Sequence, residues 1–181
     1  MNARSHDAVQ RLKLGAPAPY QSPIQADDSS PSAAKLRGAC HCGRVVYHLS
    51  RDSPLDSKYC HCRDCQVLHG APFQWAAIFH KADVAFDKGA AGLRFYNSPS
   101  KCAQHVLPCK VACDHCGSLI MDEGRNMVLL FPTLLRFETE EQRRKFDVQC
   151  HIFYPQRVVD IPDGKPKWAG LDHKSGLLKD D

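Results

Sequence analysis

Short apolar or alternating segments, separated by turn residues, run through the chain from about residue 36 onward. Segments rich in β-branched and aromatic side chains predict strands at residues 44–49, 73–79, 93–99, 118–121, 127–131 and 150–154. Helix is favoured only as one turn over residues 66–70, ended by Gly70 and Pro72, and as a charged stretch over residues 138–144. Many short strands and few short helices predict a mainly β domain.

Both ends of the chain lack this pattern. Residues 1–35 are rich in Ala, Ser, Pro, Gln and Asp and show no sustained apolar period. Such a composition cannot bury enough apolar surface to order itself, so we predict a flexible N-terminal tail over residues 1–35. The pattern places the start of the domain near residue 36. We assign residues 36–172 to this one domain and residues 173–181 to a short C-terminal tail.

Composition and charge narrow the class of protein. The chain has 181 residues, 43% of them hydrophobic, which is enough for one core. Its formal net charge of +4 is mild and is not gathered in a basic block, so nucleic acid is not an expected partner. No apolar run reaches the roughly 18 residues of a membrane helix, and the first residues lack the apolar core of a signal peptide. We therefore predict a soluble, cytoplasmic protein with no membrane partner.

Ten cysteines are present, and most of them fall in clusters. Without an export signal, thiols at metal-ligand spacing favour metal binding over disulfides. Thiolates are strong ligands of zinc. The clusters are a C-x-C pair, a C-x-x-C pair and a C-x-C-x-x-C triplet, namely Cys40 and Cys42, Cys113 and Cys116, and Cys60, Cys62 and Cys65.

The two pairs together supply four thiols, which close a tetrahedral structural site, whereas the triplet leaves one position open, as in catalytic zinc sites. We therefore predict two zinc ions per chain. Two alternatives stay open. Cys60 or Cys65 could join Cys113 and Cys116 instead, or the triplet could be a second structural site closed by a residue from elsewhere, namely His61, His69, Cys102, His105, Cys109 or His151.

The order of these motifs resembles the glutathione-dependent formaldehyde-activating family, which also includes centromere protein V-like proteins. The resemblance rests on G-A-C-H-C-G at residues 38–43, Y-C-H-C-R-D-C at 59–65, G-A-P at 70–72 and C-D-H-C-G-S at 113–118. It implies an Mss4-like fold of twisted β-sheets carrying zinc, with Cys40, Cys42, Cys113 and Cys116 as structural ligands and Cys60, Cys62 and Cys65 as catalytic ligands. It further implies a carbon–sulfur lyase that joins glutathione to formaldehyde or reverses that step.

The predicted function is therefore a zinc-dependent carbon–sulfur lyase acting on a thiol adduct, with glutathione as the candidate thiol, of a small aldehyde or related electrophile. The alternative is a non-catalytic zinc β-domain that serves as a protein-binding or chaperone-like module. The triplet separates the two hypotheses, because a module needs only the set of four thiols.

A proton shuttle would assist such chemistry, and the titratable side chains within the triplet are the candidate catalytic residues, His61 and Asp64. His69, His105 and His151 are further titratable candidates. Two cations, Arg63 and Lys110, are candidates to bind the carboxylates of a peptide thiol. Two aromatic residues, Phe73 and Trp75, are candidates to form a wall of the substrate pocket.

Overall fold

The structure is a computed structural model that describes residues 18–20 and 34–179. The strands of this described part are β1 Leu36–Ala39, β2 Val46–Leu49, β3 Asp56–Cys60, β4 Gln74–His80, β5 Val84–Phe86, β6 Leu93–Tyr96, β7 Cys109–Cys113, β8 Leu119–Glu123, β9 Met127–Leu130, β10 Leu135–Arg136 and β11 Cys150–Ile152. The helices are α1 Arg63–His69 and α2 Glu140–Arg144. None of the described helices is long and apolar enough to cross a membrane.

The strands form two sheets. The smaller sheet has the order β10-β1-β2-β5, and the larger has the order β11-β3-β4-β9-β8-β7-β6. Neighbouring strands are antiparallel except β11 and β3, which run parallel. The prediction of a mainly β fold with few short helices is confirmed.

Helix α1 begins earlier than the sequence predicts. The Cys62 side chain accepts a hydrogen bond from the backbone N–H of Cys65, so it caps the helix and draws residues 63–65 into the first turn. Gly70 ends the helix in the left-handed conformation, with φ of 58°, as the glycine predicts.

The core of the smaller sheet depends on one close approach between β1 and β2. Gly38 lies opposite Tyr47, whose ring is fully buried and packs against Phe86 with ring centroids 5.6 Å apart. A Cβ atom at Gly38 would lie 2.2 Å from Cζ of Tyr47. The ring therefore occupies the space in which any other residue would place its side chain.

A short part of the predicted N-terminal tail lies on the domain. Tyr20 is only 3% exposed and stacks on Phe86 with ring centroids 5.8 Å apart. Its hydroxyl donates a hydrogen bond of 2.5 Å to Glu123 at the end of β8. Lys35 also lies on the domain, since its backbone N–H donates a hydrogen bond of 2.7 Å to the Leu49 carbonyl. The prediction of flexibility for residues 1–17 and 21–33 falls outside the described residues.

Glu123 is a buried carboxylate that gathers three donors. Besides the Tyr20 hydroxyl, it accepts from Lys81 Nζ at 2.7 Å and from His105 Nε2 at 2.7 Å. Burial alone would raise the pKa of Glu123, but these three hydrogen bonds outweigh it and lower the pKa below the ordinary value. The charged form is therefore part of the folded state.

We expect Gly38→Ala and Tyr47→Phe to have opposite effects on stability. Gly38→Ala overpacks the ring and should lower the free energy of unfolding by about 1–3 kcal/mol or more. The Tyr47 hydroxyl has no hydrogen-bond partner in the described part of the chain, so Tyr47→Phe removes a desolvation cost of about 1–3 kcal/mol and should leave stability equal or higher. Urea denaturation of both variants measures this, and an unchanged midpoint for Gly38→Ala would contradict the packing.

We expect Glu123→Gln to lower the free energy of unfolding at pH 7 by about 3–5 kcal/mol. The substitution removes the negative charge and leaves the buried partners of the carboxylate without a counterion. Since the folded pKa of Glu123 lies below its unfolded value, its contribution is fully present above the unfolded pKa. It is lost as the pH falls through the folded pKa. Unfolding midpoints measured between pH 7 and pH 3 should therefore fall less steeply in the variant than in the wild type, and parallel curves would contradict the assignment.

Candidate metal centres and the adjoining pocket

The first thiol cluster joins two turns that lie far apart in the sequence. The C-x-C turn follows β1, and the C-x-x-C turn follows β7. The Sγ atoms of Cys40 and Cys42 are 3.5 Å apart, those of Cys42 and Cys113 are 3.9 Å apart, and all four, including Cys116, lie within 4.8 Å of one another. Zn–S bonds of about 2.3 Å in a tetrahedron place sulfurs about 3.8 Å apart, so the donor set fits zinc.

Local hydrogen bonds favour the thiolate at Cys40 and Cys116. At Cys42 a hydrogen bond from the Arg44 backbone is outweighed by burial and by the neighbouring thiols, which raise its pKa to about 11. The backbone N–H of Val45 donates to Cys40 Sγ at 3.3 Å. The Ser118 hydroxyl lies 3.2 Å from Cys116 Sγ, and its hydrogen bond is the main cause that lowers the pKa of Cys116 to about 5. Metal ligation requires the deprotonated form, so these contacts prepare the thiols for a cation.

The second cluster is the triplet that connects β3 to α1. Cys60 ends the strand, Cys62 caps the helix and Cys65 lies in its first turn. The Sγ atoms of Cys60 and Cys65 are 3.6 Å apart, and all three sulfurs lie within 4.8 Å of one another. This spacing also fits zinc. No fourth Cys, His, Asp or Glu ligand atom joins the triplet in the described ranges, so neither of the alternatives left open by the sequence is formed there.

Cys62 is the most accessible thiol of the triplet. Hydrogen bonds from the Cys60 and Cys65 thiols hold the pKa of Cys62 well below its ordinary value. The Cys65 backbone N–H and the positive charge of Lys110 act in the same direction. A thiol in such surroundings is present as the thiolate at neutral pH.

The ring nitrogens of His61, a candidate catalytic residue, are not among the ligand atoms grouped with the triplet sulfurs. Its ring is fully buried, and its Nε2 lies 2.9 Å from Nδ1 of His151. His151 is also fully buried, and its Nε2 lies 3.0 Å from the Asp163 carboxylate. Burial, followed by the neighbouring His151, lowers the pKa of His61 to about 4, so the ring is neutral. The side chains of His61, His151 and Asp163 thus form a hydrogen-bonded row beside the loop that carries the triplet.

The other candidate residues fall into three groups. Asp64, the second candidate catalytic residue, is exposed in the first turn of α1, and Arg63 beside it is exposed as well. Four further candidates line one pocket with a volume of about 920 Å³, namely His69, Phe73, Trp75 and Lys110. His105 lies elsewhere, against Glu123.

Lys110 lines the pocket and contacts Gln74, which lies opposite Cys60 of the triplet. Its Nζ lies 2.9 Å from Gln74 Oε1 and 2.7 Å from the Asp122 carboxylate. It also lies 3.3 Å from His69 Nε2. The sequence analysis missed Gln74 and Asp122. Asp122 faces Lys110 across the β7–β8 pair, a register that the sequence pattern alone does not give.

A third group of potential ligands is better described as an ion-pair cluster. Atoms of His105, Cys109 and Glu123 lie within 4.8 Å of one another. Glu123 already accepts hydrogen bonds from cationic or hydroxyl donors, as described above. Burial and then the Glu123 charge raise the pKa of Cys109 to about 12, so this thiol is protonated. Neither Cys109 nor Cys102 joins the two cysteine clusters.

Comparison with known proteins identifies the family. A family model described as "Glutathione-dependent formaldehyde-activating enzyme" matches residues 35–156, well over half of the chain. No curated protein matches. Among solved structures, the chain is similar to a Rhodobacter sphaeroides protein solved by Northeast Structural Genomics, with 21% identity over 62% of this chain and 96% of that chain and a TM-score of 0.46. The chain belongs to the glutathione-dependent formaldehyde-activating enzyme family.

Proposed function

We propose that this protein is a zinc-dependent carbon–sulfur lyase that adds a thiol, with glutathione as the candidate, to a small aldehyde and reverses that addition. The main support for this proposal is the triplet. Its three thiols converge, and no fourth Cys, His, Asp or Glu ligand atom joins them in the described part of the chain. In the addition, a C–S bond forms and the carbonyl π bond opens, while the thiol proton passes to the carbonyl oxygen. The reaction needs no oxidant or reductant.

The two clusters take different roles in this proposal. Cys40, Cys42, Cys113 and Cys116 would hold a structural zinc whose coordination is complete. Cys60, Cys62 and Cys65 would hold the catalytic zinc. Bound there, zinc supplies a Lewis acid with one open position, which lowers the pKa of an incoming thiol.

Lys110 supports this chemistry through its charge. Three thiolates around a divalent cation leave a net charge of −1, which disfavours a second anion nearby. The Lys110 ammonium acts on Cys62 and Cys65 from the pocket side and offsets that charge. Gln74 and Asp122 hold the ammonium in place and keep it from turning into solvent.

His69 is a further proton-transfer candidate that faces the pocket. Burial, with a smaller effect from Lys110, lowers the pKa of His69. A neutral imidazole at this position can accept the thiol proton and return it to the aldehyde oxygen. The catalytic roles of His61 and Asp64 stay predictions, and the buried pair of His61 and His151 favours a positioning role for His61.

We expect Cys62→Ser to abolish catalysis while the fold is kept, and Cys113→Ser to prevent folding. A structural zinc contributes about 10–16 kcal/mol to folding, whereas the triplet adds to a domain that is already closed. Magnetisation-exchange NMR with ¹³C-formaldehyde and glutathione measures enzymatic exchange above the spontaneous rate, and circular dichroism measures folding.

Cys102→Ser is the matched control for these two variants, because Cys102 belongs to neither cysteine cluster. It should retain both exchange and fold. Equal loss of fold in Cys62→Ser and Cys113→Ser would contradict the division between a catalytic and a structural site.

We also expect two zinc ions per chain, measured by inductively coupled plasma mass spectrometry. A chelator should remove one zinc first and abolish exchange without loss of the circular dichroism signal, because the triplet site has an open position. A single zinc per chain would instead support the alternative of a non-catalytic binding module.

A further inference from the structure

The pocket beside the triplet is large and lined mainly by apolar and aromatic side chains. Its volume of about 920 Å³ lies near the upper end of the roughly 300–1,000 Å³ of pockets that take drug-sized ligands. Formaldehyde adds only a hydroxymethyl group to a thiol. The walls are mostly apolar or aromatic, and they include Leu68, Phe73, Trp75, Leu119, Phe131 and Leu134. Such walls favour a ligand with a sizeable apolar group.

The floor of the pocket is formed by one face of the β6–β7 pair, and this face carries two cationic side chains. In the β6–β7 pair, Arg94 lies opposite Ala112 and Tyr96 lies opposite Lys110, and all four residues line the pocket. Because alternate residues of a strand share a face, Arg94 and Lys110 project from the same side, about 7 Å apart along the strands. Among the described residues, no Asp or Glu lines the pocket.

Arg94 is the cation that is left for a ligand. Lys110 is paired with Asp122, whereas Arg94 is exposed and forms no ion pair within the described ranges. A guanidinium presents a planar fork of donors that matches a carboxylate, so an unpaired Arg at a pocket floor favours a carboxylate-bearing ligand.

The pocket and the triplet form one continuous site. Gln74 lines the pocket and lies opposite Cys60 in the β3–β4 pair, and His69, which also lines the pocket, ends the helix that Cys62 caps. A ligand that places its sulfur at the triplet can therefore extend past Lys110 toward Arg94, with its apolar part against the aromatic wall.

From this arrangement we infer the substrate class. The substrate is an S-adduct of a carboxylate-bearing thiol whose S-substituent is bulky and apolar or aromatic; the carboxylate pairs with Arg94. This inference rests on the proposed function, since it takes the triplet as the place where sulfur reacts. Formaldehyde is then the smallest electrophile that the site accepts, and the apolar walls favour larger ones.

Arg94 has one competing explanation in the structure. A Cβ atom at Gly117 would lie 3.3 Å from Arg94 Nη2, so the guanidinium lies over the turn that carries Cys113 and Cys116. It could therefore act only as a countercharge to the four thiolates. In that case Arg94→Ala would lower zinc retention and stability and would leave ligand affinity unchanged.

Binding of two stable thioethers tests the inference without turnover. Isothermal titration calorimetry on the zinc-loaded protein should give a Kd at least tenfold lower for S-benzylglutathione than for S-methylglutathione. Arg94→Ala should raise the Kd for S-benzylglutathione at least tenfold with two zinc ions retained, and Arg94→Lys should recover part of that loss. Arg37→Ala is the matched control, because Arg37 is an exposed strand arginine of the smaller sheet.

Three outcomes would overturn the inference: equal affinity for the two thioethers, an unchanged Kd in Arg94→Ala, or a zinc loss in Arg94→Ala that accounts for its weaker binding. Failure of the proposed function has a different signature. If S-benzylglutathione binds as expected but no adduct exchange is catalysed, the pocket assignment stands and the lyase proposal falls. If exchange is catalysed but the two thioethers bind equally, the lyase proposal stands and the pocket assignment falls.

Discussion

The convergence of four thiols from two distant turns is the constraint on which the rest of the structure depends. Cys40 and Cys42 follow the first strand of the smaller sheet, and Cys113 and Cys116 follow a strand of the larger one. As thiolates they carry like charges within 4.8 Å, which repel unless a cation lies among them. In the proposed function that cation is zinc, so metal binding and the joining of the two sheets are one event.

The triplet depends on a second long-range contact, made by the C-terminal part of the domain. Strand β11 runs parallel to β3, which places His151 behind His61 and next to Asp163. Lys58 on β3 forms an ion pair with Asp172 from the same C-terminal segment. These contacts fix the loop between β3 and α1. The three sulfurs are therefore positioned by a C-terminal segment that contributes no ligand itself.

Local features of the sequence were sufficient for the fold class and for the grouping of thiols within each motif. Alternating apolar residues between turn signals specify strands, because the side-chain period of a strand is two. The C-x-C and C-x-x-C spacings bring neighbouring sulfurs together by backbone geometry alone. Lys110, Phe73 and Trp75 were predicted as substrate contacts from residue type, and all three line the pocket.

Contacts between distant segments were beyond the sequence pattern. The burial of His61 follows from the position of β11, about 90 residues later, and the insertion of Tyr20 follows from Glu123, 103 residues later. Arg94 and Lys110 share the pocket floor only through the β6–β7 register. The sequence by itself thus determined a β-rich domain with thiol clusters of metal-ligand spacing, because those signals are local. The tertiary structure alone decided which clusters meet, which histidines are buried and which cation faces the pocket, because these depend on packing between segments far apart in the chain.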